Sequence, residues 1–236
     1  MNLLSIIIPV YNEEGSIGSL IQKLKKLDLS ISNFRKEIII VNDGSTDRSA
    51  SIIESFDEIV IKNQDNQGKG SAVQNGIESA NGNYILIQDG DLEYNPDDII
   101  KMCNQLGSSE NMSIYGSRYK PFYLGLFPKF YNKQNISSYL ANIVFIFLFL
   151  IFYTRIVTDP LTGYKLYSKN FFKNNTIKSK GFEADHEITA KLIKQGFKII
   201  EVPIGYKPRN KLEGKKINFF DGIKALITII KYRFVN

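Results

Sequence analysis

Over the first ninety residues, short apolar runs alternate with segments whose apolar residues recur at helical spacing. Ser5-Ile6-Ile7-Ile8-Pro9-Val10, Glu37-Ile38-Ile39-Ile40-Val41, Glu58–Lys62 and Tyr84-Ile85-Leu86-Ile87 read as strands. Strands with no polar alternation are buried on both faces, which is the habit of a parallel sheet covered by helices. Ile17, Leu20, Ile21, Leu24 and Leu27 supply one intervening helix, Asp47–Phe56 a second, and Ala72, Val73, Gly76, Ile77 and Ala80 a third. Right-handed crossovers then bring the strand C-ends to one edge, where polar residues line a ligand crevice.

The second half is less regular. Pro96–Leu106 reads as a helix with Ile99, Cys103 and Leu106 inward. An aromatic, basic loop follows from Arg118 to Lys133, and then an uncharged run, Ile136–Thr154, whose dense apolar part is Ile143–Tyr153. An amphipathic helix near Ile188–Gln195, a strand around Ile199–Val202 and a terminal helix from Phe219 complete the pattern. No repeat or low-complexity linker interrupts the 236 residues, so one domain is expected. Residues 1–107 would form a nucleotide-binding half and 108–218 an acceptor half with a membrane-facing segment at 118–157. Residues 219–236 would be an amphipathic helix.

Polar residues cluster where strands end. Gln88-Asp89-Gly90-Asp91-Leu92-Glu93 closes the fourth apolar run. Two carboxylates one residue apart, in a turn loosened by glycine, suit a hard cation such as Mg²⁺ or Mn²⁺, which takes oxygen ligands and substrate phosphates. Pro9-Val10-Tyr11-Asn12-Glu13-Glu14 and Asn42-Asp43-Gly44-Ser45 close the first and second runs. Acids and amides there can bond a uracil or guanine edge and a ribose. Each motif alone has a plain reading as a cap or turn. Three such ends meeting at one sheet edge are harder to explain that way.

These motifs, with Asn66-Gln67-Gly68-Lys69-Gly70, Gly116-Ser117-Arg118, Asp159-Pro160-Leu161-Thr162-Gly163-Tyr164-Lys165 and Arg209…Glu213-Gly214-Lys215-Lys216, make the chain resemble family 2 glycosyltransferases. Within them it is similar to the polyprenyl-phosphate glycosyltransferases, the dolichol-phosphate mannosyltransferase type. The resemblance implies an α/β, Rossmann-like, mixed but mostly parallel sheet flanked by helices, the GT-A fold. It also implies an inverting transfer from a UDP- or GDP-linked sugar to a polyprenyl or dolichyl phosphate, assisted by Mg²⁺ or Mn²⁺. By resemblance Pro9, Tyr11, Glu13, Asp43 and Asp89 hold the nucleoside, and Asp91 with Glu93, beside Asp89, holds the metal. Asn42 stands where many relatives have aspartate, so altered base or ribose contacts are expected. Lys69 is read equally as a helix start or a donor contact.

Arg209 and Lys215 are expected on the donor diphosphate or the acceptor phosphate, and Arg118 on the acceptor phosphate. Asp159 is the first candidate for orienting or deprotonating the acceptor, and Asp185 the second. A phosphate monoester, with a second pKa of about 6, is already mostly dianionic at neutral pH. Positioning and charge neutralisation then carry most of the catalysis. His186, the one histidine, is read as helix-surface polarity. An alternative is a family 2 enzyme acting on a sugar hydroxyl. A nucleotidyltransferase and a non-catalytic binding module are weaker ones.

Net charge is +6, yet Asn111–Thr158 contains no Asp or Glu while carrying Arg118, Lys120, Lys129, Lys133 and Arg155. Basic charge beside aromatics points to an anionic surface, a membrane more than nucleic acid. The run Ile136–Thr154 is close to the roughly 20 residues that span a bilayer. One crossing, however, would separate Asp159 and Arg209 from Asp91, so an interfacial or partly embedded helix is expected. The single cysteine and the lack of a leader pattern suggest a cytoplasmic protein, peripheral on the inner membrane face. A membrane-anchoring partner or a homo-oligomer would be consistent with that placement.

Overall fold

The computed structural model describes residues 1–57, 59–107, 111–119, 136–209 and 219–235. Its centre is a seven-stranded sheet. The strands are β1 (Asn2–Val10), β2 (Phe34–Asp43), β3 (Val60–Gln64), β4 (Tyr84–Ile87), β5 (Met112–Ser117), β6 (Lys165–Ser168) and β7 (Lys198–Pro203), in the order β3-β2-β1-β4-β6-β5-β7. β1 runs parallel to both β2 and β4, β2 to β3, and β5 to β7. Only β6 is antiparallel, to β4 on one side and β5 on the other. The sheet is therefore mixed and mostly parallel, as expected.

The apolar runs become central strands because alternate residues feed two different cores. Leu4, Ile6, Ile8 and Val10 face α1 (Ile17–Lys26), α2 (Ser49–Glu54) and α4 (Asp98–Cys103), with Ile38, Ile40 and Leu86 beside them. Ile7, Ile39, Val41, Ile85 and Ile87 face α3 (Lys69–Ser79) and α7 (Ala184–Lys194). A third cluster joins α5 (Ile136–Tyr153), α7 and α8 (Phe219–Phe234) through Phe145, Phe149, Tyr153, Ala190, Ala225, Ile229 and Tyr232. Tyr153 donates its hydroxyl to the Ile229 carbonyl at 2.7 Å, tying α5 to α8.

Some elements depart from the sequence reading. β2 starts at Phe34 rather than Glu37, and α2 covers only Ser49–Glu54 of the expected Asp47–Phe56. β3 is displaced to Val60–Gln64, an edge strand of mostly exposed residues that had little burial signal to locate it. β6 and the short helix α6 (Lys169–Lys173) carry no periodicity of their own. β6 exists because β4 and β5 supply partners on both sides. His186, expected on a helix surface, is instead buried against the Phe145 ring of α5 at 5.1 Å. Burial pushes its pKa down to about 3, so the imidazole stays neutral.

Every parallel strand and the N-end of β6 meet at one edge. Among the described residues, no helix is long and apolar enough to cross a membrane. α5 ends at Tyr153, and Thr154 just after it has a φ of 54°. Most of the aromatic basic loop, with Lys120, Lys129 and Lys133, lies outside the described residues, as do Lys211, Lys215 and Lys216.

Gly76 packs α3 directly on β1. A Cβ there would lie 2.4 Å from Ile7 Cγ2 and 3.3 Å from its Cγ1 and Cδ1. Alanine gains about 1 kcal/mol of helix propensity. Overpacking a rigid, buried β-branched side chain costs about 1–3 kcal/mol. Packing should therefore win: Gly76→Ala is expected to lower the thermal midpoint in a calorimetric scan. A raised midpoint would show that Ile7 yields cheaply.

Candidate active site

β1 runs out into Tyr11-Asn12-Glu13, β2 closes on Asn42-Asp43 and β4 runs out into Gln88-Asp89, and hydrogen bonds tie the three ends together at one sheet edge. Asn12 and Ser45 join the first two: Asn12 N–H donates to Ser45 Oγ at 3.1 Å, and Thr46 N–H donates to Asn12 Oδ1 at 2.8 Å. Buried Asp43 accepts Gln64 Nε2 at 2.6 Å and the backbone N–H groups of Gln67 and Gly68 at 2.8 and 2.9 Å. Its carboxylate thus holds the loop that leads into α3. Asn42 accepts Ser45 N–H at 3.0 Å and donates to Asn63 at 3.1 Å, so the amide organises the turn. Ser16 Oγ stands between the β1 and β4 ends, 2.8 Å from the Gly90 carbonyl and 3.0 Å from Glu13 Oε2, where its one proton can go to either. Tyr11 is exposed at the rim.

Two cations sit among the carboxylates at this edge. Lys69, the first residue of α3, lies 2.7 Å from Asp89 Oδ1 and 3.4 Å from Asp185 Oδ2. Burial alone would lower the Lys69 pKa, but Asp89 and Asp185 outweigh it and hold the ammonium firmly charged. Burial pushes the Asp89 pKa up to about 6 against the pull of Lys69. Burial would also raise Asp185, but Lys69 and Lys165 beside it keep its carboxyl below the usual range. Gly163 permits this arrangement, because a Cβ there would stand 2.5 Å from Asp89 Oδ2.

The second cation is Arg209, which follows Pro208 after β7. Its Nη1 donates to Glu13 Oε2 at 2.8 Å, and its Nη2 to Glu13 Oε1 at 3.2 Å and Asp91 Oδ2 at 2.9 Å. Its backbone N–H donates to Glu93 Oε1 at 2.7 Å, while Glu93 Oε2 accepts the Tyr206 hydroxyl at 2.8 Å. Asp91 Oδ1 accepts Glu93 N–H at 3.1 Å. Burial, then Glu93, raise the Asp91 pKa in spite of Arg209. Among the described residues, no three acidic, histidine or cysteine side chains are grouped to hold a metal ion. Asp89 turns to Lys69, while Asp91 and Glu93 both turn to Arg209.

Arg118 and Asp159 lie on the other side of Tyr206. Arg118 follows β5 and grips Asp159 through Nε to Oδ2 at 2.8 Å and Nη2 to Oδ1 at 2.7 Å, with its backbone N–H adding a 2.8 Å bond. Asp159 is fully buried. The Arg118 guanidinium lies 5.0 Å from the Tyr206 ring and 5.4 Å from the Tyr119 ring. Tyr206 therefore touches both the Arg118–Asp159 pair and Glu93. Lys215 lies outside the described residues, and Pro9 sits one residue before the end of β1.

Sequence reasoning missed several supporting residues. Glu201 on β7 accepts the backbone N–H groups of Thr158 and Asp159 at 3.0 Å each and the Thr158 hydroxyl at 2.8 Å, fixing the turn that carries Asp159. A charge interrupting the run Ile199–Val202 was the available signal. Lys165 is completely buried, within 3.3 Å of the Pro160 carbonyl and 3.4 Å of the Asp185 carbonyl. Burial pushes its pKa down to about 8. Tyr94 accepts Gly163 N–H at 3.0 Å and stacks on Tyr164 at 5.0 Å.

Removing one partner of a buried ion pair leaves an uncompensated charge, at a cost of about 3–5 kcal/mol. Arg118→Met is expected to destabilise the protein by about that amount in urea unfolding, since Asp159 has no access to water. A loss under about 1 kcal/mol would mean that Asp159 is neutralised or resolvated without its arginine.

Comparison with known proteins agrees with this geometry. Residues 5–175 match the family described as glycosyl transferase family 2. The dolichol-phosphate mannosyltransferase of Pyrococcus furiosus is 29% identical over 238 residues, covering 97% of this chain and 64% of that protein. The UDP-N-acetylglucosamine–dolichyl-phosphate N-acetylglucosaminyltransferase of Methanococcus voltae is 27% identical over 224 residues, covering 86% of this chain and 84% of that protein. Two further curated relatives are spanned over only 63% and 51% of their length. Glucosyl-3-phosphoglycerate synthase from Mycobacterium tuberculosis, solved with Mn²⁺, UDP-glucose and phosphoglyceric acid, shares the fold with a TM-score of 0.72 at 15% identity, over 100% of this chain and 81% of that one. With a mostly parallel sheet, acidic strand ends and a family match over most of its length, the chain belongs to glycosyl transferase family 2 and is a glycosyltransferase.

Proposed function

We propose that this enzyme moves a sugar, with inversion, from a UDP- or GDP-linked donor to a polyprenyl or dolichyl phosphate, assisted by Mg²⁺ or Mn²⁺. One observation carries the reading: among the described residues, Glu13, Asp89, Asp91, Glu93 and Asp185 form ion pairs with two cations, Lys69 and Arg209, with Lys165 beside Asp185. Such a site repels a diphosphate unless more positive charge enters with it. Hard oxygen donors fit Mg²⁺ or Mn²⁺, and the guanidinium between Glu13 and Asp91 already marks a place built for a cation. Asp91 with Glu93 and Asp89 would hold the metal. When bound, it would neutralise the leaving diphosphate as a Lewis acid.

Pro9, Tyr11, Glu13 and Asp43 would hold the nucleoside, with Lys69 and Arg209 near the phosphates. On the acceptor side, Arg118 and Lys215 would bind the lipid phosphate. Both Asp159 oxygens are taken by Arg118, so Asp159 suits orienting Arg118 better than accepting a proton. A hydroxyl acceptor would need a well-placed base. A phosphate dianion needs none, and this favours the lipid phosphate over a sugar hydroxyl. Asp185, kept ionised between Lys69 and Lys165, would contribute charge beside the reacting sugar. In the transfer the anomeric carbon loses its bond to the diphosphate and gains one to the acceptor phosphate oxygen. The nucleoside diphosphate then leaves. The lipid-phosphate acceptors named for the Pyrococcus and Methanococcus relatives support this acceptor class.

The acceptor's lipid tail requires a membrane surface. α5 exposes Leu140, Val144, Phe147 and Ile151 at helical spacing, and α8 exposes Phe219, Ile223 and Ile227. The opposite face of α8, with Ala225, Thr228, Ile229 and Tyr232, packs on the protein. This apolar face, with Lys224, Lys231 and Arg233 on the same helix, is suited to peripheral docking on the cytoplasmic side. A double variant Phe147→Glu, Ile151→Glu is expected to lose most co-sedimentation with anionic vesicles while keeping its fold. Undiminished sedimentation would remove this face from the docking role.

The reaction is tested by supplying UDP- and GDP-sugars with a short polyprenyl phosphate, with and without Mn²⁺. Transfer should need both lipid and metal. Asp91→Ala should lower it by roughly 100-fold or more, because metal stabilisation of a leaving group amounts to several kcal/mol. Transfer to a sugar hydroxyl, with polyprenyl phosphate ignored, would overturn the acceptor assignment.

A further inference from the structure

We infer that Arg209 is a tethered competitor for the divalent cation, and that the metal's arrival releases its guanidinium to the donor phosphates. The inference rests on the metal role proposed above and adds the order in which the site's cations exchange. Asp91 has both oxygens engaged: Oδ1 accepts Glu93 N–H at 3.1 Å, and Oδ2 accepts Arg209 Nη2 at 2.9 Å. A dication held by Asp91 would need a carboxylate oxygen that these two donors already engage. On the Oδ2 side that donor is the guanidinium, and two cations there repel each other strongly in a partly buried site. The Arg209 side chain is only 19% exposed, so water screens this repulsion weakly.

The occupancy has the features of an exchangeable one. One positive charge faces three carboxylates, Glu13, Asp91 and Glu93, so a divalent ion compensates the cluster better. Nε lies 3.9 Å from Glu93 Oε1, and among the described residues it has no hydrogen-bond partner. The guanidinium fork is therefore incompletely used where it stands. Arg209 also lies in the segment joining β7 to α8, which carries Lys211, Lys215 and Lys216 further along the sequence. Released, it keeps five donors in a fork that matches phosphate oxygens bidentately. Phosphate capture would then be coupled to metal binding: with Asp91 and Glu93 committed to a cation, the Arg209 guanidinium would turn to the donor phosphates.

Competition has a measurable signature. Apparent metal affinity falls by the fraction of molecules in which the site is free of the guanidinium. Mn²⁺ titration followed by electron paramagnetic resonance, without nucleotide, should show Arg209→Met binding roughly 10-fold or more tighter than the wild type. The same variant should bind UDP or GDP more weakly in the presence of saturating Mn²⁺, the opposite sign. Arg209→Gln serves the same purpose if the methionine variant does not fold. Arg48→Met removes an exposed cation bonded to neighbouring Glu14 and should change Mn²⁺ affinity by less than about twofold, because exposed charges are screened. Unchanged or weaker Mn²⁺ binding in Arg209→Met would overturn the competition, and so would an equal gain in Arg48→Met. If Mn²⁺ binds neither protein even with UDP or GDP present, the metal role itself falls and the inference with it. Binding that is equal in both proteins removes the inference alone.

Discussion

A carboxylate taken out of water needs a cation, and among the described residues this site holds more carboxylates than the cations paired with them. Lys69 bridges Asp89 and Asp185, and Arg209 bridges Glu13 and Asp91. The raised pKa of Asp89, about 6, and the upward shift at Asp91 record the unmet demand. Burial is the larger cause of both, and like charge adds to it. An anionic donor can enter such a place only with a counter-ion. On the proposed function, the side chains that pair within the site are also those that would meet the donor.

The Glu93–Arg209 group and the Arg118–Asp159 pair are mechanically joined. Tyr206 bonds Glu93 and lies under the Arg118 guanidinium, which holds Asp159. Glu201, two strands from the acidic turn, fixes the Thr158–Asp159 backbone from β7. Lys165 ties the Pro160 turn to the first turn of α7, where Asp185 sits. The antiparallel strand β6 makes this possible, since its N-end delivers residues 159–164 to the edge where the parallel strands finish. A parallel strand in that place would start at the opposite edge.

Outside the site, α5 and α8 divide their surfaces between two environments. Phe145, Phe149 and Tyr153 pack with Ala225, Ile229 and Tyr232, while Leu140, Phe147, Ile151 and Ile227 face outward. His186 and Phe145 link this helix pair to the turn that carries Asp185. The apolar exposure thus lies on elements packed directly against α7.

The sequence by itself determined the central strands, because Ile6–Ile8, Ile38–Val41 and Ile85–Ile87 are apolar without interruption and can be satisfied only between two layers of helix. It determined the acidic and amide strand ends too, since turn chemistry and parallel topology are both local and periodic signals. It could not locate β6, whose four residues become a strand only through partners at β4 and β5. Nor could it pair Arg209 with Asp91 across 118 positions, or Arg118 with Asp159 across 41. It placed His186 on a surface, because a single polar letter carries no record of the aromatic ring that covers it. Those pairings are decided by tertiary structure: burial sets which charges lose water, and only the folded chain shows which neighbours replace it.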